Sequence, residues 1–278
     1  MPYRIIGDSC TDLTTELKQN SNIKLVPLTF TVDDVSIVDD ETFDQQHFIN
    51  LVKASPHCPK SACPSPDDYM QHFDFDGDIY ITTLSSQLSG SYNSAELAKK
   101  LYLEEHPNKN IEIIDSRSAS VGQTLIAMKI IELANANNTF KEIVSKVNAY
   151  RNELKTKFVL ESLDTLRKNG RLSGIQAILA SALNIKPVMG ATPEGSICKI
   201  DQARGIVKAL LLMVKSIEQD VIRPQEKIIG IAHCNNRERA EFVKQEILKR
   251  IPFKDCFIVN TAGVSTMYAN DGGIITAY

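Results

Sequence analysis

Asp78-Ile79-Tyr80-Ile81-Thr82-Thr83-Leu84-Ser85-Ser86-Gln87-Leu88-Ser89-Gly90-Ser91-Tyr92 is the stretch on which the reading of the fold turns. Ile79 to Thr83 are all β-branched or aromatic, the composition of a strand. Further on, Ala95, Leu97, Ala98, Leu101 and Tyr102 recur at helical spacing between Ser94 and Glu105. Leu84 to Tyr92 therefore turn the chain from the end of a strand into the start of a helix. In an open α/β sheet, ligands sit beyond the carboxyl ends of the strands. A helix start adds free backbone N–H groups and a dipole that favours an anion. The hydroxyls of Ser85, Ser86, Ser89 and Ser91, with Gly90, make this turn a hydrogen-bonding nest for a small, oxygen-rich group. It contains no lysine or arginine, so a carboxylate suits it better than a triphosphate. The same residues are also ordinary turn and cap formers, and at this level both readings stand.

Outward from this turn, strands and helices alternate. The chain opens with strand Tyr3–Gly7, a turn at Asp8–Asp12 where Thr11 or Asp12 can cap a helix, and a helix from Leu13 to Asn20. Lys24–Val32 reads as a strand whose Pro27 marks an edge or an end. Asp33–Glu41 reads as an acidic, solvated turn, and Thr42–Ala54 as a short helix. Pro56–Pro66 reads as a loop, after which Ser65 is an N-cap with Pro66 at the first helical position. Strand Asn110–Asp115 ends in the hydroxyl-rich Ser116–Ser120. Helix Gln123–Asn135 is apolar almost all round, so it is either core or the wall of something apolar.

After helix Phe140–Leu154 the pattern changes. Strand Phe158–Leu160 leads to helix Leu163–Lys168, closed by Asn169-Gly170. The apolar helix Ile175–Leu183 follows, then a hairpin turning at Thr192–Gly195 and a helix from Ala203 to Gln219. Strand Lys227–Ala232, helix Arg237–Arg250, strand Cys256–Asn260, a Gly/Ser/Asn loop and strand Gly273–Ala277 complete the chain. This alternation predicts α/β throughout. A boundary near Lys155 predicts an N-terminal α/β domain (1–154) and a C-terminal one (155–278), with the cleft between them as the natural pocket.

Composition removes several classes of function. With 278 residues and a formal charge of −3, nothing marks a surface for nucleic acid or anionic membrane. Apolar runs such as Ala209–Val214 are flanked by lysines, so no membrane segment is expected. The first strand begins beside Met1, which leaves no room for a secretory signal and predicts a cytoplasmic protein. The six cysteines form no C-x-x-C pair, and the five histidines show no metal-ligand spacing, so no metal is expected. Asp8 lacks the second aspartate, two residues on, that phosphoryl transfer of the haloacid-dehalogenase type requires; Cys10 stands there.

Several blocks together resemble one family over essentially the whole chain. Asp8-Ser9-Cys10-Thr11-Asp12-Leu13 resembles its opening D-S-x-x-D-L, and Ser61-Ala62-Cys63-Pro64-Ser65-Pro66 its T-S-x-P-S-P loop. Ser85 to Tyr92 resembles its S-S-x-L-S-G-T-Y, and Leu166 to Ser173 its L-x-x-G-G-R-I-S. Asn184-Ile185-Lys186-Pro187 and Ala203-Arg204-Gly205 match two further blocks. On these residues the chain is identified as a member of the DegV family, the bacterial fatty-acid-binding proteins. The resemblance implies two α/β domains and a lipid-binding tunnel holding a long-chain fatty acid. It also implies, for some members, a fatty acid kinase as partner. By the same resemblance the carboxylate is expected to be held by the serine of L-S-G, here Ser89, and by the hydroxyl residue of the T-S-x-P-S loop, here Ser61. Where the family commonly has H-x-G-P-G, this chain has Tyr268-Ala269-Asn270-Asp271-Gly272. Tyr268 can donate a hydrogen bond there but cannot become cationic near neutral pH. Ser86, Gly90, Ser91 and Arg171 are supporting candidates.

The expected function is binding of a long-chain fatty acid, as a carrier or as a substrate-presenting subunit for fatty acid phosphorylation. No catalytic residue and no cofactor are expected. Burial of an acyl chain contributes roughly 0.8 kcal/mol per methylene, while a buried carboxylate has to be hydrogen-bonded. The helices at Leu125–Leu133 and Ile175–Leu183 are candidate tunnel walls. Alternatives are a serine hydrolase of lipid esters using Ser89 with His233, a phosphotransferase through Asp8, and an interaction protein with an incidental pocket. The first lacks a G-x-S-x-G elbow, and the second lacks a phosphate-cradling glycine loop.

Overall fold

A computed structural model gives the architecture, and the structure describes residues 2–172 and 184–278. The expected helix at Ile175–Leu183, with Ser173 and Gly174, lies outside the described residues. In chain order the first half runs β1 (Tyr3–Asp8), α1 (Thr15–Lys18), β2 (Ile23–Val26), β3 (Thr29–Val32), β4 (Val35–Val38), α2 (Gln45–Ala54), β5 (Lys60–Ala62), α3 (Pro66–Met70), β6 (Asp78–Thr83), α4 (Ser91–Glu105), β7 (Ile111–Asp115), α5 (Val121–Asn135) and α6 (Phe140–Glu153). It continues with β8 (Thr156–Val159), α7 (Asp164–Lys168), β9 (Ile185–Ala191), β10 (Ile197–Arg204), α8 (Ile206–Asp220), β11 (Ile228–His233), α9 (Arg237–Leu248), β12 (Asp255–Asn260), α10 (Gly263–Ala269) and β13 (Ile274–Ala277).

The chain is an α/β protein with three sheets among the described residues. One is parallel, in the order β2-β1-β6-β7, with Ile5 opposite Tyr80 and Ile81 opposite Ile113. A mixed sheet runs β10-β9-β8-β13-β11-β12, and a small antiparallel one runs β4-β3-β5. Side chains of the parallel sheet alternate between two cores, as a period of two requires. Ile5, Tyr80 and Ile114 pack with Ile126, Ile130 and Val147 of α5 and α6. Ile6, Ile79 and Ile81 pack on the other face with Tyr69, Phe73, Ala95 and Ala98. In the mixed sheet, Val159, Ile229 and Ile231 face Leu210 and Met213 of α8 and Val243 of α9.

The all-round apolar α5 has a structural cause. One side packs on the parallel sheet, while Val121 and Leu125 meet Ala232, Val259 and Ala277 of the mixed sheet. A helix wedged between two sheets keeps only a narrow strip for water, here around Lys129, Glu132 and Asn135.

Local expectations hold where hydrogen bonds are local. Ser65 caps α3, and Asp68 returns the bond to the Ser65 N–H, a capping box. The β9–β10 hairpin turns at Thr192–Gly195, with Gly195 at φ +94. Other expectations are corrected. Lys24–Val32 is not one strand: the chain breaks at Pro27, and its two halves join different sheets. Asp33–Glu41 is largely solvent-exposed, as expected, but it is more than a turn, since it contains β4 and carries the buried Asp39. The Pro56–Pro66 loop contains β5, and the loop after β12 contains α10. Thr14, not Thr11 or Asp12, caps α1.

Candidate functional site

A pocket lies where the carboxyl ends of β1, β6 and β7 face the mixed sheet. Cys10 lines it from beyond β1, Leu84 and Leu88 from the serine turn, and Ala119 from beyond β7. Phe158, Ile197 and Ile275 of the mixed sheet form the opposite wall, and Val264 and Tyr268 of α10 close one side. About 770 Å³ of atom-free space is counted here, open mouth included. No residue of α5 lines it, so that helix is core and not the expected tunnel wall.

The wall is apolar although it contains hydroxyl residues, because those hydroxyls bond within the protein. Ser118 and Thr156 are paired at 2.6 Å, and Ser120 donates to Asp12 at 2.5 Å. The hairpin tip closes against the serine turn, where the Ser85 hydroxyl donates to the Gly195 carbonyl at 2.8 Å. Gly195 is required for this approach: a Cβ there would lie 2.8 Å from the backbone Cα of Arg117, in addition to its positive φ.

The sequence-predicted site residues are placed as follows. The Ser61 hydroxyl, on β5, meets the Tyr268 hydroxyl of α10 at 2.9 Å. Arg171 lines the pocket beside them, its guanidinium carbon 5.8 Å from the centre of the Tyr268 ring. The Arg171 Nε donates to the Leu88 carbonyl at 3.1 Å, tying it to the serine turn. Ser89 is half-buried in that turn and accepts from the Ser91 N–H at 3.2 Å; no hydrogen bond joins it to Ser61 or Tyr268. Gly90 lies beside β5, since a Cβ there would stand 3.1 Å from the Cys63 sulfur. Ser86 donates to Asp115 at 2.6 Å, and the buried Ser91 donates to Asp8 at 2.6 Å. Ser61 and Tyr268 are thus bonded to each other, and Arg171 lies near the Tyr268 ring and ties it to the turn bearing Ser89. Of the three principal predicted residues only Tyr268 lines the pocket, Ser61 and Ser89 standing outside the lining.

Beneath the site lie three buried aspartates whose positions sequence reasoning missed. Asp8 accepts from the N–H groups of Cys10 and Leu84 and from the side chains of Ser91 and Gln123. Burial raises its pKa despite these bonds. Burial likewise lifts Asp12 to about 7, against hydrogen bonds from Ala262 and Ser120, and Asp39 to about 6, against bonds from Val264, Ser9 and Gly263. The D-S-x-x-D-L turn was the available signal for Asp8 and Asp12. Nothing local distinguished Asp39 from its acidic neighbours.

His233 ends β11, and its Nδ1 accepts from the Asn236 N–H at 3.3 Å. It is not among the pocket residues, and burial lowers its pKa. Among the described residues no group of three or more His, Cys, Asp and Glu side chains could hold a metal ion. Nor is any described helix long and apolar enough to cross a membrane.

The model of a family described as uncharacterised proteins of the DegV family matches residues 2–277. A DegV domain-containing protein of Streptococcus gordonii is 35% identical over 280 residues, covering 100% of this chain and 99% of that one. A crystal structure of a DegV family protein from Ruminococcus gnavus, refined with vaccenic acid, superposes with a TM-score of 0.97 at 48% identity, covering 99% of each chain. The fatty acid kinase (Fak) B3 protein of Streptococcus pneumoniae, solved loaded with linoleic acid, gives a TM-score of 0.92 at 34% identity. That match covers 100% of this chain and 99% of the other.

Proposed function

The chain belongs to the DegV family, and from that premise we propose that it binds one long-chain fatty acid. The acyl chain occupies the pocket between the sheets, and the carboxylate lies at the pole formed by Ser61, Tyr268 and Arg171, with Ser89 completing it. The observation that carries this reading is the polarity of the pocket. Its walls are apolar, Arg171 and Tyr268 line it as neighbours, and the Ser61 hydroxyl reaches Tyr268 from just outside the lining.

The energetics follow from that division. Each buried methylene contributes roughly 0.8 kcal/mol, so the chain supplies affinity and the pole supplies orientation. A carboxylate brought out of water needs hydrogen bonds or a counter-charge. Tyr268 and Ser61 supply bonds, and Arg171 supplies the charge that a tyrosine in place of a histidine cannot.

In this reading the protein does no chemistry of its own. Ser89 orients the ligand and does not attack it. The role is that of a cytoplasmic carrier, or a subunit presenting the acyl carboxylate to a fatty acid kinase for phosphorylation. The organisation proposed with it is two domains, 1–154 and 155–278, with the ligand between them.

The test is extraction. Protein purified without added lipid, denatured and analysed by mass spectrometry, should release a long-chain fatty acid in nearly equimolar amount. A pocket that is empty and also refuses added oleate would overturn the reading. A fluorophosphonate probe should leave Ser89 unlabelled; stoichiometric labelling, abolished by His233→Ala, would make the protein a hydrolase instead.

A further inference from the structure

α10 carries Tyr268 to the pocket, yet it is only seven residues long. A helix of that length has no stability of its own in water, so its position has to be set by what holds it. Its amino end is held by two carboxylates from the other half of the chain. Asp12 Oδ1 accepts from the Ala262 N–H at 2.6 Å. Asp39 accepts from the Gly263 N–H at 2.7 Å through Oδ1 and from the Val264 N–H at 2.8 Å through Oδ2. These are short bonds to carboxyl oxygens, placed where the helix dipole favours negative charge.

The close approach is built into the sequence. A Cβ at Gly263 would stand 2.3 Å from Asp39 Oδ1. Asp39 is itself fixed by the Ser9 hydroxyl, which donates to it at 2.9 Å, and by its own N–H, which donates to the Leu28 carbonyl. Asp39 follows β4 directly, and Ser61 lies on β5 of the same small sheet. That sheet therefore grips α10 twice, through Asp39 at its amino end and through Ser61 at Tyr268.

We propose that Asp12 and Asp39 are positioning residues for ligand binding: by clamping the amino end of α10 they fix where the Tyr268 hydroxyl stands at the carboxylate pole. This rests on the reading that the pocket binds a fatty acid with its carboxylate at that pole. The aspartates touch no ligand and act only through α10. Loss of the clamp loosens the helix and moves the Tyr268 hydroxyl out of hydrogen-bonding range, while the apolar walls supplied by the mixed sheet remain.

A double-mutant cycle tests it, with oleate as the probe and circular dichroism confirming that each variant is folded. Asp39→Asn keeps the side-chain volume but presents an amide where two N–H groups need acceptors. It should weaken oleate binding about tenfold. In a Tyr268→Phe background the same substitution should weaken binding by less than about twofold, because the group it positions is already gone. An equal loss in both backgrounds would mean that Asp39 merely stabilises the fold, and no loss in either would mean that it positions nothing; both overturn the proposal. So would a Tyr268→Phe protein that binds as well as the unmodified one. If the unmodified protein itself fails to bind oleate, the fatty-acid reading falls instead. Should Asp39→Asn not fold, Asp12→Asn carries the same cycle. Amide exchange in the unmodified protein is independent of both: the N–H groups of Ala262, Gly263 and Val264 should exchange as slowly as those of β11, and fast exchange there overturns the clamp.

Discussion

The hydroxyls of Ser61 and Tyr268 stand 2.9 Å apart across 207 positions of sequence. In such a pair one hydroxyl donates to the other, which leaves a single proton free for a third group. The pair is therefore a one-proton donor aimed from two elements, β5 and α10, whose relative placement decides whether it can serve a ligand.

Removing either hydroxyl should cost binding, because a hydrogen bond to a charged group contributes roughly 1.5–3 kcal/mol. Tyr268→Phe and Ser61→Ala should each weaken oleate binding by about ten- to a hundredfold. The double mutant should lose less than the product of the two factors, since each removes part of one donor system. Titration of the four proteins decides it. Binding by Tyr268→Phe at the unmodified level would assign the headgroup to other residues.

Ser89 and Ser91, two positions apart, should behave oppositely. Ser91 is buried, donates to Asp8 at 2.6 Å and pairs with the Tyr69 hydroxyl at 2.6 Å. Ser91→Ala leaves both partners short of a bond and should lower stability by about 1–3 kcal/mol, with little effect on the affinity of the folded fraction. Ser89→Ala should leave urea unfolding nearly unchanged and weaken oleate binding about tenfold. Equal affinity losses in the two would place Ser91, against its buried bonds, in the ligand site.

Filling the pocket should exclude ligand without disturbing the pole. Ile197 begins the edge strand β10, lines the pocket and is only partly buried. Ile197→Trp should project its larger ring into the pocket and reduce binding of eighteen-carbon acids by at least about tenfold, with shorter acids affected less, at roughly 0.8 kcal/mol per displaced methylene. Competition between oleate and a ten-carbon acid reads this directly. Unchanged chain-length preference would place the acyl chain elsewhere.

The pH dependence of stability has a definite sign at Asp12. Burial lifts its pKa from the ordinary 3.8 to about 7, so the folded protein keeps this proton where the unfolded chain has lost it. The stability contributed this way is fully present below about pH 4 and is lost as pH rises through about 7, with a slope of at most about 1.4 kcal/mol per unit. Asp39, lifted to about 6, acts in the same direction. Asp12→Asn removes the dependence at one site. The stability of the unmodified protein relative to Asp12→Asn, from urea unfolding, should therefore fall between about pH 4 and pH 7. A difference that rises with pH would show Asp12 ionised in the folded state throughout.

Much of this protein is legible from short stretches, for a physical reason. Strand Ile79–Thr83, the Ser65–Pro66 helix start and the Thr192–Gly195 turn depend on side-chain periodicity, a capping hydroxyl and a glycine at positive φ. Each of these acts within a few residues, and each stands in the fold where the sequence puts it. The α/β class follows from their alternation. The order of residues also brings the serine turn to the carboxyl end of a central parallel strand.

What sequence could not decide was decided by partners far away along the chain. Helix α5 reads in sequence as core before pocket wall, with nothing local to settle it; it is core because sheets from both halves cover it. Asp39 stands in the sequence among acidic residues that look solvated, and α10 among glycine, serine and asparagine that look like loop. Each accounts for the other: the helix N–H groups make it tolerable to bury the carboxylate, and the carboxylate fixes a helix too short to hold itself. The same holds at the pole, where Ser61 and Tyr268 acquire a common task only once β5 and α10 have been packed together. Backbone propensity and capping are local energies and are written in local sequence. The burial of a charge and the aim of a hydroxyl depend on which distant surfaces exclude water around them, and only the tertiary structure sets that.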